Sequence, residues 1–294
     1  MFPGLILPLL AATVLAITVT TAHRYMPPAL ASRMLAVSVV VVAGAAVPTL
    51  WLLSFGYISY VGHLPYIGRW FAWCAETIGI HETIPHWIGL PAVIVAAIGA
   101  VRTTRILRLH RRLRQDRPGS IEIAGHDAVF AFTLPGRAGQ VVLSSGLVSL
   151  LDPEEQMIVL AHERAHGRHR HDRYLLMGQL ASASTPFLRP LVSRLQFSLE
   201  RWADEEAVVA GGGDRRFVAF TLGKVALNTL APLGALSFAG LGVPARVTAL
   251  LSPPPSEPGA SMLIGIWAMI GVTAMLAVTQ LHHLATLLAD VCPG

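Results

Sequence analysis

The sequence predicts a mainly α protein with a small β-sheet: four transmembrane helices, with a cytoplasmic α+β domain inserted between spans 3 and 4. Three observations predict it. Of 294 residues, 53% are hydrophobic and only 13% are charged, with a mean hydropathy of +0.58; soluble domains carry roughly 25% charged residues. Four apolar runs are each close to the ~20 residues a helix needs to cross a bilayer. Between the third and the fourth lies a stretch with the turn, capping and charge signals of water-facing structure.

The first run is 5–22. No Lys or Arg precedes it and Arg24 follows it, which suits a span with its N-terminus outside rather than a cleaved signal. The second, 34–57, contains Pro48, which membrane helices tolerate as a kink. The third covers 84–101, and the fourth 262–280. The apolar stretch 226–243 is interrupted by Asn228, Pro232 and several glycines, and reads as packing within the inserted domain rather than a fifth span.

Basic residues set the orientation. The formal charge of +5 is concentrated: Arg102, Arg105, Arg108, Arg111, Arg112, Arg114 and Arg117 directly follow the third span. Such a cluster marks the cytoplasmic side and faces anionic headgroups. It abuts the membrane and has no interleaved aromatic residue, which argues against direct nucleic-acid binding. Residues 1–104 are thus a three-span membrane region, 105–260 a cytoplasmic domain, and 261–294 the fourth span with a short outer tail. The lipid bilayer is the first partner. Lys224 is the single lysine, and with the Ala, Val and Gly richness this suits a high-GC bacterial genome and a bacterial cell membrane. The spans lack central charges, which argues against a transporter. Two cysteines cannot build a four-cysteine zinc site. The topology puts Cys74 and Cys292 both outside, where a disulfide between them can persist.

Within the inserted domain, AVFAFTLPG and GQVVLSSG flank Pro135, Gly136 and Gly139 and read as a β-hairpin. Asp152, Pro153 and Glu155 then form a capping-box start. The helix they open carries His162, Glu163 and His166 in a His-Glu-x-x-His pattern. Spacing of four places both imidazoles on one face, where they can chelate one Zn²⁺ with Glu163 in reach of a water. A second helix runs from Pro190 to the Gly211–Gly213 run. It carries Glu200 and Asp204 four apart, on a face shared with Phe197, Ala207 and Val208. Carboxylates on an apolar face need a cation or donors. Ligation by Glu200 and a hydrogen bond from a ligand imidazole to Asp204 meet that need; pairing with nearby arginines is the alternative. Glu205 and Glu206 point elsewhere and are expected to be solvated. His169 cannot join both other histidines on one ion, because three ligands at i, i+4 and i+7 of one helix span about 10 Å. Gly167 is a place where the helix can break, and His169 and His171 read as rim residues.

AFTLPGRAGQVVLSSGLVSLLDPEEQMIVLAHERAH, with ERWAD further on, resembles the gluzincin membrane peptidases, which include the CAAX prenyl protease and HtpX relatives. The layout of three spans, an inside zinc domain and a fourth span is closest to the BlaR/MecR-type antirepressor peptidases. RVTALL at 246–251 is similar to a segment these families carry after the zinc helices. The sequence departs from the HtpX branch in the basic GRHRHD tail, and from the β-lactam sensors in that only residues 281–294 follow the fourth span, so a penicillin-binding sensor domain is not expected. The resemblance implies a zinc metalloendopeptidase with one Zn²⁺ held by His162, His166 and Glu200, Asp204 behind them, and Glu163 as general base. It implies a cytoplasmic protein substrate, with a BlaI-like repressor as one form. The hairpin edge at 129–144 is placed to take a peptide as an added strand. His169, His171, Tyr174 and Arg216 are candidate oxyanion donors. Two other readings remain: a quality-control protease, and a signalling protein with a structural zinc site, which normally has four protein ligands.

Overall fold

The computed structural model describes residues 2–61, 84–113, 120–136, 139–229, 238–255 and 257–291. It is mainly helical, with one small three-stranded sheet. Among the described residues, four helices are long and apolar enough to cross a membrane: α1 (Phe2–Ala22), α2 (Pro28–Val61), α3 (His86–Leu113) and Ala260–Val291. Cys74 and Cys292 lie outside the described residues.

Helix α2 is the centre of the bundle, packed against α1, α3 and the C-terminal helix. Its buried residues Ala31, Leu35, Val39, Val42 and Ala45 recur at steps of three and four and form one stripe. Ala12, Leu15 and Val19 of α1 and Ile266, Ile270 and Ala277 of the C-terminal helix join the same core. Val14, Ile17, Val40, Ile264 and Met275 point outward and are exposed. That is the pattern expected where lipid, not water, is the outer solvent: close packing inside and apolar side chains outside.

Helix α3 does not end where its apolar run ends. It continues through the arginines to Leu113, with Arg102, Arg105, Arg108, Arg111 and Arg112 all exposed. The chain then forms β1 (Ile121–Ala124), β2 (Ala131–Thr133) and β3 (Val141–Ser144). The expected hairpin is present: β2 pairs antiparallel with β3, Phe132 opposite Val142. β1 adds in parallel on the far side of β3, a long-range pairing the sequence did not reveal. The order β1-β3-β2 leaves β2 as an edge.

Then come α4 (Ser145–Leu150), α5 (Pro153–Arg168), α6 (His171–Ser184), α7 (Arg189–Ala210), α8 (Arg215–Asn228) and α9 (Phe238–Leu251); the C-terminal helix is α10. The capping box of α5 forms as expected: Glu155 N–H donates to Asp152 Oδ1 at 2.9 Å, and Asp152 N–H donates to Glu155 Oε2 at 3.0 Å. Glu155 is buried and also accepts from Lys224 Nζ of α8 at 2.5 Å.

The helical hairpin α6–α7 packs into the bundle of long apolar helices. Ala181, Leu188, Leu191, Val192, Leu195, Leu199 and Trp202 belong to the same buried core as α1, α2 and α10. A Cβ at Gly99 of α3 would stand 2.8 Å from the Ser184 Cα, so only glycine admits the end of α6 there. The helix carrying Glu200 and Asp204 is therefore positioned by the long apolar helices.

Candidate active site

Helices α5 and α7 pack side by side, and their facing side chains meet. His162 and His166, one turn apart on α5, bring their Nε2 atoms to 3.2 Å. Glu200 of α7 closes the triangle, with Oε2 3.5 Å from His162 Nε2 and Oε1 3.6 Å from His166 Nε2. A tetrahedral zinc site with bonds of about 2.0–2.2 Å spaces neighbouring ligand atoms about 3.3–3.5 Å apart. The three residues are thus grouped closely enough to hold one metal ion, and their nitrogen and oxygen donors are of the kind that suits zinc.

The field of the site also calls for a cation. Burial opposes a charge on His162, yet the carboxylates of Asp204 and Glu200 push its pKa up to about 10. Glu200 resists burial and is held well below the usual carboxylate range by His162, Arg246 and His166. Asp204 is likewise lowered against its burial, by Arg246 and His162. His166 is lowered, first by burial and then by repulsion from His162. The carboxylates that raise His162 would equally favour a metal cation held between the three residues.

Behind each of these residues stands a second partner. His162 donates from Nδ1 to Asp204 Oδ1 at 3.1 Å. Arg246 of α9 donates from Nε and one terminal nitrogen to both oxygens of Asp204, at 2.8 and 2.6 Å. Its other terminal nitrogen lies 2.8 Å from Glu200 Oε2. Both alternatives for the carboxylates are therefore realised together: they face imidazoles on one side and an arginine on the other. No role was expected for Arg246. One signal could have found it, since it is the single charged residue between Lys224 and Glu257.

Glu163 lies beside the triangle and takes no part in it. Thr133 of the edge strand β2 reaches it: the Thr133 hydroxyl is 2.9 Å from Glu163 Oε2 and 2.7 Å from the Glu163 carbonyl oxygen. Sequence reasoning missed this residue as well. The approach of sheet to helix rests on two glycines. Gly139 has φ +59°, and a Cβ there would sit 2.6 Å from the Gly167 Cα. His162, Glu163, His166 and Glu200 open onto a cleft of about 550 Å³, walled by Ile106, Leu109 and Leu113 of α3, by β2 and by Leu175 and Leu176 of α6.

Three expectations need correction. Gly167 does not break the helix, which runs on to Arg168. His169 and His171 are not rim residues. Arg170 adopts a left-handed conformation, φ +54°, and reverses the chain. His171 is thereby tucked under His166 at 1% exposure, with its Nδ1 2.9 Å from His166 Nδ1. His169 stacks on Trp202 at 4.3 Å between ring centres and meets Glu206 at 2.9 Å. Glu205 and Glu206 point away from the site but are paired rather than merely solvated: Glu205 with Arg215 at 2.6 and 3.0 Å, Glu206 with His169 and Arg168. Of the four candidate oxyanion donors, only His171 lines the cleft; Arg216 is exposed elsewhere.

Residues 102–226 match the sequence profile of Peptidase family M48. The matched segment carries His162, Glu163, His166, Glu200 and Asp204, and ends before Arg246. No curated protein and no solved structure matches the chain. The segment is thus similar to metallopeptidases, and the described residues hold one His-His-Glu cluster able to bind a metal.

Proposed function

We propose that the protein is a membrane-embedded, zinc-dependent endopeptidase that hydrolyses peptide bonds of a cytoplasmic protein, as the BlaR/MecR-type peptidases it resembles act on repressors. The observation that carries this reading is the three-sided ligand set with Glu163 beside it and not among the ligands. A closed structural site needs a fourth protein ligand; the cluster among the described residues has three.

His162, His166 and Glu200 hold the zinc, which when bound supplies Lewis acidity toward a peptide carbonyl and makes a water nucleophilic near neutral pH. Glu163 accepts the proton of the attacking water and passes it to the leaving nitrogen. Asp204 holds the His162 ring in place, and Arg246 holds Asp204 and Glu200. The substrate lies against β2, whose outer edge offers unpaired backbone groups at 131–133 for an added strand. Ile106, Leu109 and Leu113 favour apolar side chains next to the scissile bond. In this reading the N-terminus is outside, the arginines of α3 face the cytoplasm, and nucleic acid is not a partner.

A quality-control role on membrane proteins is the second reading, favoured by the shared core of α6–α7 with the spans. One experiment separates the two. Protein N-termini are quantified in cells expressing wild type or Glu163→Gln at equal abundance. Loss of one or a few cytoplasmic N-termini in the variant supports a regulatory protease and names its substrate. Loss of many scattered ones supports quality control. Identical profiles under several stresses would sink both.

A further inference from the structure

His171 was expected at the rim and lies in the interior, against the back of a candidate ligand. His166 presents Nε2 to His162 and Glu200, so its Nδ1 points the other way, where it meets His171 Nδ1 at 2.9 Å. Two neutral imidazole nitrogens at that distance share one proton: one donates and the other accepts. A metal on His166 Nε2 uses that lone pair, and the His166 proton must then sit on Nδ1. His171 Nδ1 is thereby the acceptor, and its own proton resides on Nε2. That Nε2 is fully buried and has no hydrogen-bond partner among the described residues.

The surroundings hold this arrangement. The His171 ring lies 5.1 Å from Trp202, 5.9 Å from His169 and 6.4 Å from Tyr174, centre to centre. His171 itself is buried at 1% exposure. Trp202 stands two residues after Glu200 on α7, so one helix supplies both a ligand and a wall of this box. The orphaned Nε2 makes no sense as a packing choice alone, since an apolar ring would fill the space without a stranded donor. It is explained if the position needs an acceptor at Nδ1.

We infer that His171 is a positioning residue for the metal: it fixes the tautomer and orientation of His166, as Asp204 does for His162. This rests on the zinc-site reading above. The neutral imidazole does so without adding a third carboxylate to a site that already contains Glu200 and Asp204.

The test is zinc affinity of the purified full chain in detergent, by competition with a chromophoric chelator. His171→Asn keeps an acceptor where Nδ1 stood; His171→Gln carries its amide to where Nε2 stood. Asn should bind zinc within a few-fold of wild type, and Gln about 10–100-fold more weakly, the usual effect of losing an outer partner. Cobalt-loaded Gln should also show shifted visible bands. A filling role predicts the reverse order, since Gln matches the histidine's volume better. Equal affinities, or a weaker Asn, overturn the inference while leaving the site intact. A wild-type chain that binds no zinc overturns the site reading, and the inference with it.

Discussion

Replacing Arg246 with leucine removes one cation from two carboxylates at once. Its three donors sit 2.6 and 2.8 Å from Asp204 and 2.8 Å from Glu200. Hydrogen bonds to charged groups contribute about 1.5–3 kcal/mol each. The two partners differ in what replaces the lost donor. Glu200 keeps 38% of its side chain in contact with the cleft, so water can take the place of the guanidinium. Asp204 has 4% exposure and no such recourse. Asp204 keeps only the His162 ring, at 3.1 Å, as a partner. Two hydrogen bonds to a charged group are lost at about 1.5 kcal/mol or more each, so Arg246→Leu should lower the stability of the ion-free protein by about 3 kcal/mol. Asp204→Asn neutralises the stranded charge while its Oδ1 still accepts from His162. The double variant should therefore be more stable than Arg246→Leu alone by about 2 kcal/mol or more. Thermal unfolding of the full chain in detergent, followed by tryptophan fluorescence, reads both. If the double variant is no more stable than the single, with a coupling below about 0.5 kcal/mol, the claim that Arg246 acts by compensating Asp204 fails.

Other outcomes follow from particular contacts. The Thr133 hydroxyl can donate to Glu163 when that carboxylate is ionised, and accept from it when protonated while turning its own proton to the Glu163 carbonyl. Thr133→Val should lower kcat roughly tenfold, a part of the ~10²–10⁴ that a general base contributes, with KM and zinc content unchanged. Thr133→Ser should stay near wild type, and a Val variant as fast as wild type would refute the contact's role. Without metal, stability should peak near pH 6.5. The raised His162 pKa gives stability that is complete below 6.5 and lost as pH rises toward 10. The lowered His171 pKa, pushed by burial and by the neighbouring His166 and His169 to about 3, gives stability lost as pH falls from 6.5 to 3. Unfolding midpoints after chelation check this, and zinc should abolish the alkaline decline because it displaces the His162 proton. Lys224→Met strands the buried Glu155, leaving only its capping bonds, and should cost about 1–3 kcal/mol. Adding Glu155→Gln should recover part of the loss, and no recovery would count against the ion pair.

The features legible in the sequence are those that local geometry dictates. Helical repeat alone puts His162 beside His166, and Glu200 one turn from Asp204. The capping box at Asp152 and Glu155 and the β2–β3 hairpin are contacts between near neighbours. The apolar runs mark helices because an uncharged helix of that length suits a bilayer whatever packs around it. What stayed hidden depends on contacts between distant residues. Arg246 reaches Asp204 across 42 positions, Thr133 reaches Glu163 across 30, and Lys224 reaches Glu155 across 69. The parallel partner β1, and the packing of α6–α7 among the long apolar helices, are of the same kind. His171 is the sharpest case, only five residues from His166 yet misplaced by sequence reasoning. Its position hangs on one left-handed residue, Arg170, a conformation that arginine does not signal and that its packed surroundings impose. The sequence by itself determined which residue types could bind a metal and on which helices they lie. Only the tertiary structure decided what stands behind each of them, because that depends on how helices distant in the chain are brought together by a core shared with the long apolar helices.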